Sequence, residues 1–255
     1  MNFLAAVHTD RGIRKERNQD SILLETAVTD HGQVLLSVIC DGMGGLAKGE
    51  VASAVLVRAF SNWFHKEFPC LLYSGIKADA VRQSWTDLLL EQDRKICEYG
   101  RKRNITLGTT AAALLLIENV YYIINIGDSR VYYLREGIKQ MTADQTFVQR
   151  EMDLGRMTFE EAKIHPKKNM LLQCVGAGGV IIPDFYAGRY EPDSVFMICS
   201  DGFRHVIRPQ EFWDRLQPEL METEEKMKET AVYFTELNKS RREEDNISVV
   251  LIRAY

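Results

Sequence analysis

An apolar run, Val38-Ile39-Cys40, stops abruptly at Asp41-Gly42-Met43-Gly44-Gly45, a carboxylate and three glycines placed directly before a helical pattern. A second run, Phe196-Met197-Ile198-Cys199, stops at Ser200-Asp201-Gly202, the last run, Ile247–Ile252, is entered through Asp245-Asn246, and Asp20 introduces Ile22–Leu24. Each aspartate alone reads as a turn residue. Together they form a set of carboxylates at strand ends, far apart in sequence yet able to converge at one rim of a sheet. Hard divalent cations need such ligands: several oxygens, mostly anionic, on rigid supports. No His-x-x-x-His or cysteine pair offers the softer ligands that zinc prefers, so the expected ion is Mg²⁺ or Mn²⁺. The histidines, His8, His31, His65, His165 and His205, are scattered, and none receives a role.

A metal pair bridged by one aspartate can generate hydroxide near neutral pH and clamp a phosphoryl group for in-line displacement, with no nucleophilic side chain. Such a site calls for a nearby cation. The loop Asp10–Asp20 supplies Arg11, Arg14, Lys15 and Arg17, and an arginine fork matches phosphate oxygens. Competing motifs fare worse. Gly42-Met43-Gly44-Gly45-Leu46-Ala47 satisfies the G-x-G-x-x-A dinucleotide pattern, but the chain is still helical at Glu67, where a second strand should end in an acidic residue. Lys48 precedes Gly49 instead of following it, against a nucleotide phosphate loop. Cys97 and Arg103 have the C-x₅-R spacing of cysteine phosphatases but sit in a helical pattern, and no G-x-S-x-G occurs.

The elements that must hold these residues follow from periodicity. Runs at Phe3–Val7, Ile22–Leu24, Val34–Cys40, Thr110–Ile117, Val120–Ile126, Val131–Leu134, Val195–Cys199 and Ile247–Ile252 predict strands. Glu50–Phe68 places Val51, Val55, Ala59 and Trp63 on one stripe beside Ala52, Leu56, Phe60 and Phe64, and Ala78–Tyr99 carries Val81, Trp85, Leu89 and Ile96, so both predict helices. Tight turns make Thr110–Gln140 a meander of short antiparallel strands. Thr142–Ile164 reads as polar and helix-like with an internal Gly155, and Pro209–Leu220 and Thr223–Leu237 as amphipathic helices. With no repeat and no Gly- or Pro-rich linker, residues 1–255 are expected to form a single domain.

Composition narrows the functional class. Hydrophobic residues at 45% and charged residues at 27% suit a globular core. The balance of 32 Lys+Arg against 36 Asp+Glu, net −4, carries no footprint of nucleic-acid binding. Cys40, Cys70, Cys97, Cys174 and Cys199 are odd in number and lack C-x-x-C spacing, which predicts reduced thiols in a cytoplasmic protein. Met1–Asp10 lacks a signal-peptide pattern, and the longest apolar run, Ala111–Ile117, falls far short of the roughly 20 residues that cross a membrane, so no membrane association is expected.

The motifs then carry a resemblance. Arg17-Asn18-Gln19-Asp20-Ser21, Asp41-Gly42-Met43-Gly44-Gly45 with Gly49-Glu50-Val51-Ala52-Ser53 behind it, Gly108-Thr109-Thr110, Gly127-Asp128-Ser129-Arg130, Ser200-Asp201-Gly202 and Asp245-Asn246 resemble, in the same order, the motif set of the metal-dependent protein serine/threonine phosphatases. This is the protein phosphatase 2C family in its bacterial form, and the likeness runs from Gly12 to the final strand. It implies an α+β fold, two packed, mainly antiparallel β-sheets flanked by helices in an α-β-β-α sandwich, with two ions of Mn²⁺ or Mg²⁺ at one end. By that likeness Asp41 bridges both ions, the Gly42 carbonyl binds the first, Asp201 and Asp245 bind the second, and Asp20 stands close by through water. Arg14 or Lys15 would hold the substrate phosphate. The implied reaction is hydrolysis of phosphoserine and phosphothreonine by a metal-bridging hydroxide, without a covalent phosphoenzyme. Asp41, Asp201 and Asp245 are its catalytic core. Phosphorylated proteins and a cognate serine/threonine kinase are the expected partners, and a monomer the expected state.

This chain also departs from the family. Met43 stands where eukaryotic members carry a histidine able to protonate the leaving oxygen, Gln19 replaces an acidic residue, and Gln145 stands where the segment Thr142-Ala143-Asp144-Gln145, resembling the start of the family's flap, usually has histidine. Many members add a third ion on the aspartate equivalent to Asp128 and an acidic residue four beyond that of Ser-Asp-Gly, a position held here by His205. Such changes keep open an alternative, a catalytically weak phosphatase-like protein that binds or regulates.

Overall fold

Strands that are apolar on both faces need cover on both sides, and the computed structural model of the chain, which describes residues 1–43 and 48–255, provides it with four layers. The strands are β1 (Phe3–Asp10), β2 (Ser21–Thr29), β3 (Gly32–Cys40), β4 (Ala111–Ile117), β5 (Val120–Ile126), β6 (Arg130–Leu134), β7 (Ile138–Gln140), β8 (Asp184–Arg189), β9 (Ser194–Cys199) and β10 (Ile247–Ala254). The helices are α1 (Gly49–Lys66), α2 (Phe68–Tyr73), α3 (Ala78–Arg103), α4 (Phe147–Asp153), α5 (Phe159–Ile164), α6 (Asp201–Arg204), α7 (Pro209–Leu216) and α8 (Glu224–Ser240). One sheet has the order β1-β10-β9-β6-β7 and the other β2-β3-β4-β5-β8, with antiparallel pairing throughout. The expected α-β-β-α sandwich is therefore observed.

The period-2 pattern explains the layers. In β3, Leu35 and Ile39 join Leu114, Phe196, Ile198 and Val250 between the sheets, while Val34, Leu36 and Val38 face the helices. Against that outer face α1 lays Ala52, Leu56, Phe60 and Trp63, and α3 lays Val81, Trp85, Leu89 and Ile96. Trp63 satisfies its indole N–H on Ser84 Oγ at 2.6 Å. The other sheet is covered by Phe203, Phe212, Met227, Ala231 and Phe234 from α6, α7 and α8.

Three expectations change. The single meander over Thr110–Gln140 is split: β4 and β5 pair in one sheet, whereas β6 and β7 belong to the other, because the chain crosses the sandwich at Gly127–Ser129. The helix-like stretch Thr142–Ile164 is two short helices. Thr146 and Thr158 each cap a new N-terminus with a side-chain oxygen, and Gly155 takes a φ of 68° between them. The strand β8 and the short helices α2 and α6 are absent from the periodicity reading, being too short or too exposed to leave a clear pattern, and the helix expected over Pro209–Leu220 ends at Leu216, with a separate 3-10 turn at Pro218–Leu220.

Candidate metal centre

Strand register brings the aspartates together. Ser21 pairs with Cys40, so Asp20 before β2 and Asp41 after β3 lie at the same end of one sheet. Cys199 pairs with Val249 and with Arg130, so Asp201, Asp245 and Asp128 lie at the corresponding end of the other. The sandwich stacks these ends into one rim.

Each ligand candidate is held through its backbone. The Asp41 N–H donates to Thr110 Oγ1 at 3.0 Å, and the Asp41 carbonyl accepts from Thr110 N and Thr109 Oγ1, both at 2.9 Å. That is the task of Gly108-Thr109-Thr110. The Gly42 N–H donates to the Gln19 carbonyl at 3.2 Å, and a Cβ on Gly42 would stand 2.5 Å from both the Gln19 and Gly49 carbonyl oxygens, so no side chain fits. Ser200 extends the β9–β10 pairing, its N–H donating to Ser248 O at 3.1 Å and its Oγ accepting from Ser248 N at 3.1 Å, which sets Asp201 at the first position of α6. Gly202 packs so closely on the Asn246 carbonyl that a Cβ would overlap it. Buried Asn238 of α8 donates to the Phe203 carbonyl at 2.8 Å and anchors α6 from behind.

The loop before β10 is tied equally tightly. Asn246 accepts from Gln19 N at 2.9 Å and donates to the carbonyls of Arg11 and Arg17 at 2.9 and 3.1 Å, stapling the basic loop to the rim. Glu243 accepts from the backbone N–H groups of Glu244 and Asp245 at 2.9 and 3.0 Å. His205 stands between Asp201 and Glu243, 3.4 Å from a carboxylate oxygen of each.

The electrostatics are those of carboxylates crowded in a poorly solvated place. Burial, then Asp20 and Asp201, push the Asp41 carboxyl well above its usual range. Burial and Asp201 push Asp20 up to about 7 against the neighbouring Ser248 and Ser200 hydroxyls, and neither buried Asp20 oxygen has a partner in full hydrogen-bond geometry. Burial also opposes ionisation of Asp201, yet His205 and Arg204 hold it below the usual value, and its Oδ1 is likewise unpartnered. Lys15 reaches Asp245 Oδ1 at 2.7 Å; burial disfavours its charge, but Asp245, Asp41 and Asp201 hold the ammonium above its ordinary value. Orphaned buried oxygens and an all-oxygen donor set fit a hard divalent ion. Among the described residues no three such side chains yet form a closed coordination shell.

The remaining predicted residues are distributed as follows. Arg14 is largely exposed and pairs with Glu244, next to Asp245 but pointing outward, and exposed Arg17 pairs with Glu50 at 3.3 Å. Asp128 is buried at the rim, pushed up to about 7 by burial and Asp201, with Arg204 opposing. Gln145 caps the sheet crossover, its Oε1 accepting from Gly127 N at 2.8 Å and its Nε2 donating to Asp184 at 2.8 Å. Met43 donates its N–H to the Gly108 carbonyl at 3.1 Å, while Gly44 and Gly45 lie outside the described residues. Sequence reasoning missed Glu243 and Arg204. Their only signal was adjacency to Asp245 and Asp201.

The protein phosphatase 2C family profile matches residues 8–239 of the chain. A serine/threonine phosphatase, stp, of Listeria innocua is 28% identical over 251 residues, covering 97% of this chain and 94% of that protein. The serine/threonine phosphatase of S. agalactiae superposes with a TM-score of 0.85 at 25% identity, covering 100% of both chains. The catalytic domain of the serine/threonine protein phosphatase PstP, solved with two manganese ions, superposes with a TM-score of 0.78 at 28% identity, covering 98% of this chain and 97% of that one.

Proposed function

The chain belongs to the protein phosphatase 2C family of serine/threonine protein phosphatases, and on that premise we propose that it hydrolyses phosphoserine and phosphothreonine in proteins by direct attack of water, with no covalent phosphoenzyme. The observation that carries this reading is the convergence of Asp20, Asp41, Asp201 and Asp245 at one rim, with buried oxygens of Asp20 and Asp201 left unpartnered. Asp41 would hold both of two Mn²⁺ or Mg²⁺ ions, the Gly42 carbonyl the first, Asp201 and Asp245 the second, and Asp20 would act at the same centre through water. When bound, the ions supply Lewis-acid activation of water and neutralise the phosphoryl oxygens, so no side-chain nucleophile is required.

The chain's own groups do the rest. Thr109, Thr110 and Ser200 fix the backbone that aims the carboxylates, so little reorganisation remains for the reaction. Lys15, already drawn to Asp245, is the cation nearest the centre and the favoured partner for the substrate phosphate, with Arg14 beside it at the mouth. No protein acid is assigned to the leaving oxygen, because Met43 has no proton to give. The expected partners are phosphoproteins and an opposing serine/threonine kinase. Free cysteines suit a cytoplasmic setting, and a monomer suffices because every ligand comes from one chain.

The test is phosphate release from a phosphothreonine peptide against Mn²⁺ concentration, with a chelator control. Saturable, chelator-sensitive release is expected, and Asp41→Ala or Asp201→Ala should lower it by roughly a hundredfold or more while leaving circular dichroism unchanged. Full activity in either variant with metal present would overturn the centre. No release across metals and peptides would leave a phosphatase-like binding protein.

A further inference from the structure

Asp128 lies at the same rim as the proposed ion ligands, but the structure has already given it a cation. Arg204, on the helix that begins at Asp201, donates from Nη2 to the Asp128 carbonyl oxygen at 2.9 Å and approaches its Oδ2 at 3.4 Å. The same Nη2 stands 3.4 Å from Asp144 Oδ2. Asp144 is in turn gripped by Arg130 through two bonds of 2.7 Å, from Nε to Oδ1 and from Nη2 to Oδ2, and Arg130 Nη1 donates to the Tyr132 hydroxyl at 2.8 Å. The side chains of Arg204, Asp128 and Asp144 are only 10%, 8% and 10% exposed, so this is an interior network and not a solvated surface pair.

A buried guanidinium in contact with a carboxylate performs for it what an ion would: it neutralises and orients it. It also excludes an ion, because a dication entering beside a fixed positive charge in a poorly solvated interior meets strong repulsion. The neighbouring position adds no anionic oxygen, since His205 is occupied between Asp201 and Glu243. We propose that Arg204 is a built-in counter-cation for Asp128, so that the centre closes with two ions and Asp128 is a positioning residue. Through Asp144 it ties the rim to the segment between β7 and α4 that Asp144 occupies. The inference rests on the two-ion reading above and concerns how many ions that centre accepts.

The experiment is Mn²⁺ stoichiometry of the full chain, by equilibrium dialysis with metal analysis, carried to saturation. Wild type is expected to bind two ions, and Asp128→Asn to bind two as well. Arg204→Ala, which frees the Asp128 carboxylate, is expected to gain a third, weaker ion. That ion should vanish in the Arg204→Ala, Asp128→Asn double variant, and Arg204→Lys should restore a count of two. A third ion in wild type that Asp128→Asn removes would overturn the inference alone. Absence of any bound Mn²⁺ in wild type would overturn the two-ion reading and this inference with it. If Arg204→Ala does not fold, Arg204→Gln, which keeps a polar side chain and removes the charge, takes its place, and a count that stays at two in it would overturn the inference.

Discussion

At the scale of the residue, the centre works by placing charge where water cannot screen it. Lys15 and Arg14 are adjacent in sequence and carry the same charge, yet Lys15 is mostly buried against Asp245 while Arg14 is 71% exposed on Glu244. A charge-assisted hydrogen bond is worth about 1.5–3 kcal/mol when desolvated, and an exposed ion pair about 0–1. Lys15→Gln is therefore expected to raise the KM for a phosphopeptide roughly tenfold or more with a smaller change in kcat, and Arg14→Gln to leave both within about twofold. Steady-state kinetics at saturating Mn²⁺ checks this, and the reverse ranking would move the phosphate contact to Arg14. Arg204 illustrates the opposite use of a cation. Its replacement by alanine strands Asp128 in the interior, so a stability loss on the order of 3–5 kcal/mol in metal-free protein is expected from chemical denaturation.

At the scale of the element, the decisive contacts are close approaches between backbones. The N-terminus of α6 abuts the segment before β10 because Gly202 lacks a side chain, and this contact sets Asp201 beside Asp245. Gly202→Ala has to push the two segments apart, which should cost about 1–3 kcal/mol in stability and weaken Mn²⁺ binding as well. Thr158→Ala removes the capping box of α5, remote from the rim, and should cost about 1 kcal/mol with Mn²⁺ affinity unchanged. Thermal melts and calorimetric Mn²⁺ titrations of the two variants check the contrast; equal metal affinity in both would detach α6 placement from ion binding.

At the scale of the whole molecule, folding brings together carboxylates that repel one another. Asp20 is pushed up to about 7 in the fold, against an ordinary value of 3.8, so the native state binds more protons than the unfolded chain between those pH values. Stability of the ion-free protein is thus greatest near the low end of that window and falls as pH rises towards 7. Below it the trend reverses, since Glu211, held at about 2 by Arg241, loses its partner on protonation. Mn²⁺ held at this rim would compete with the proton retained by Asp20, so the Tm gained on adding Mn²⁺ should grow from about pH 5 to 7. Melts with chelator or Mn²⁺ across this range test it; a chelated Tm that rises with pH would refute this repulsion. No helix among the described residues is long and apolar enough to cross a membrane.

Much of this was legible in the sequence because the signals are local. A carboxylate and glycines ending an apolar run, repeated at Asp41 and Asp201, mark candidate ligands wherever the strands go. The periodicity of β3, β4, α1 and α3 reports faces that must be buried. Local pattern could not show which sheet each strand joins, since β5 and β6 read alike but part at Gly127–Ser129. Nor could it show partners. Arg204 meets Asp128 and Asp144 across 76 and 60 residues, and Glu243, in the loop before β10, meets His205 across α7 and α8. Residue types and spacing determined the chemistry this chain can support. Only the tertiary structure decided which charges share one interior, because the Coulomb and desolvation energies that set their states depend on distance in space, not along the chain.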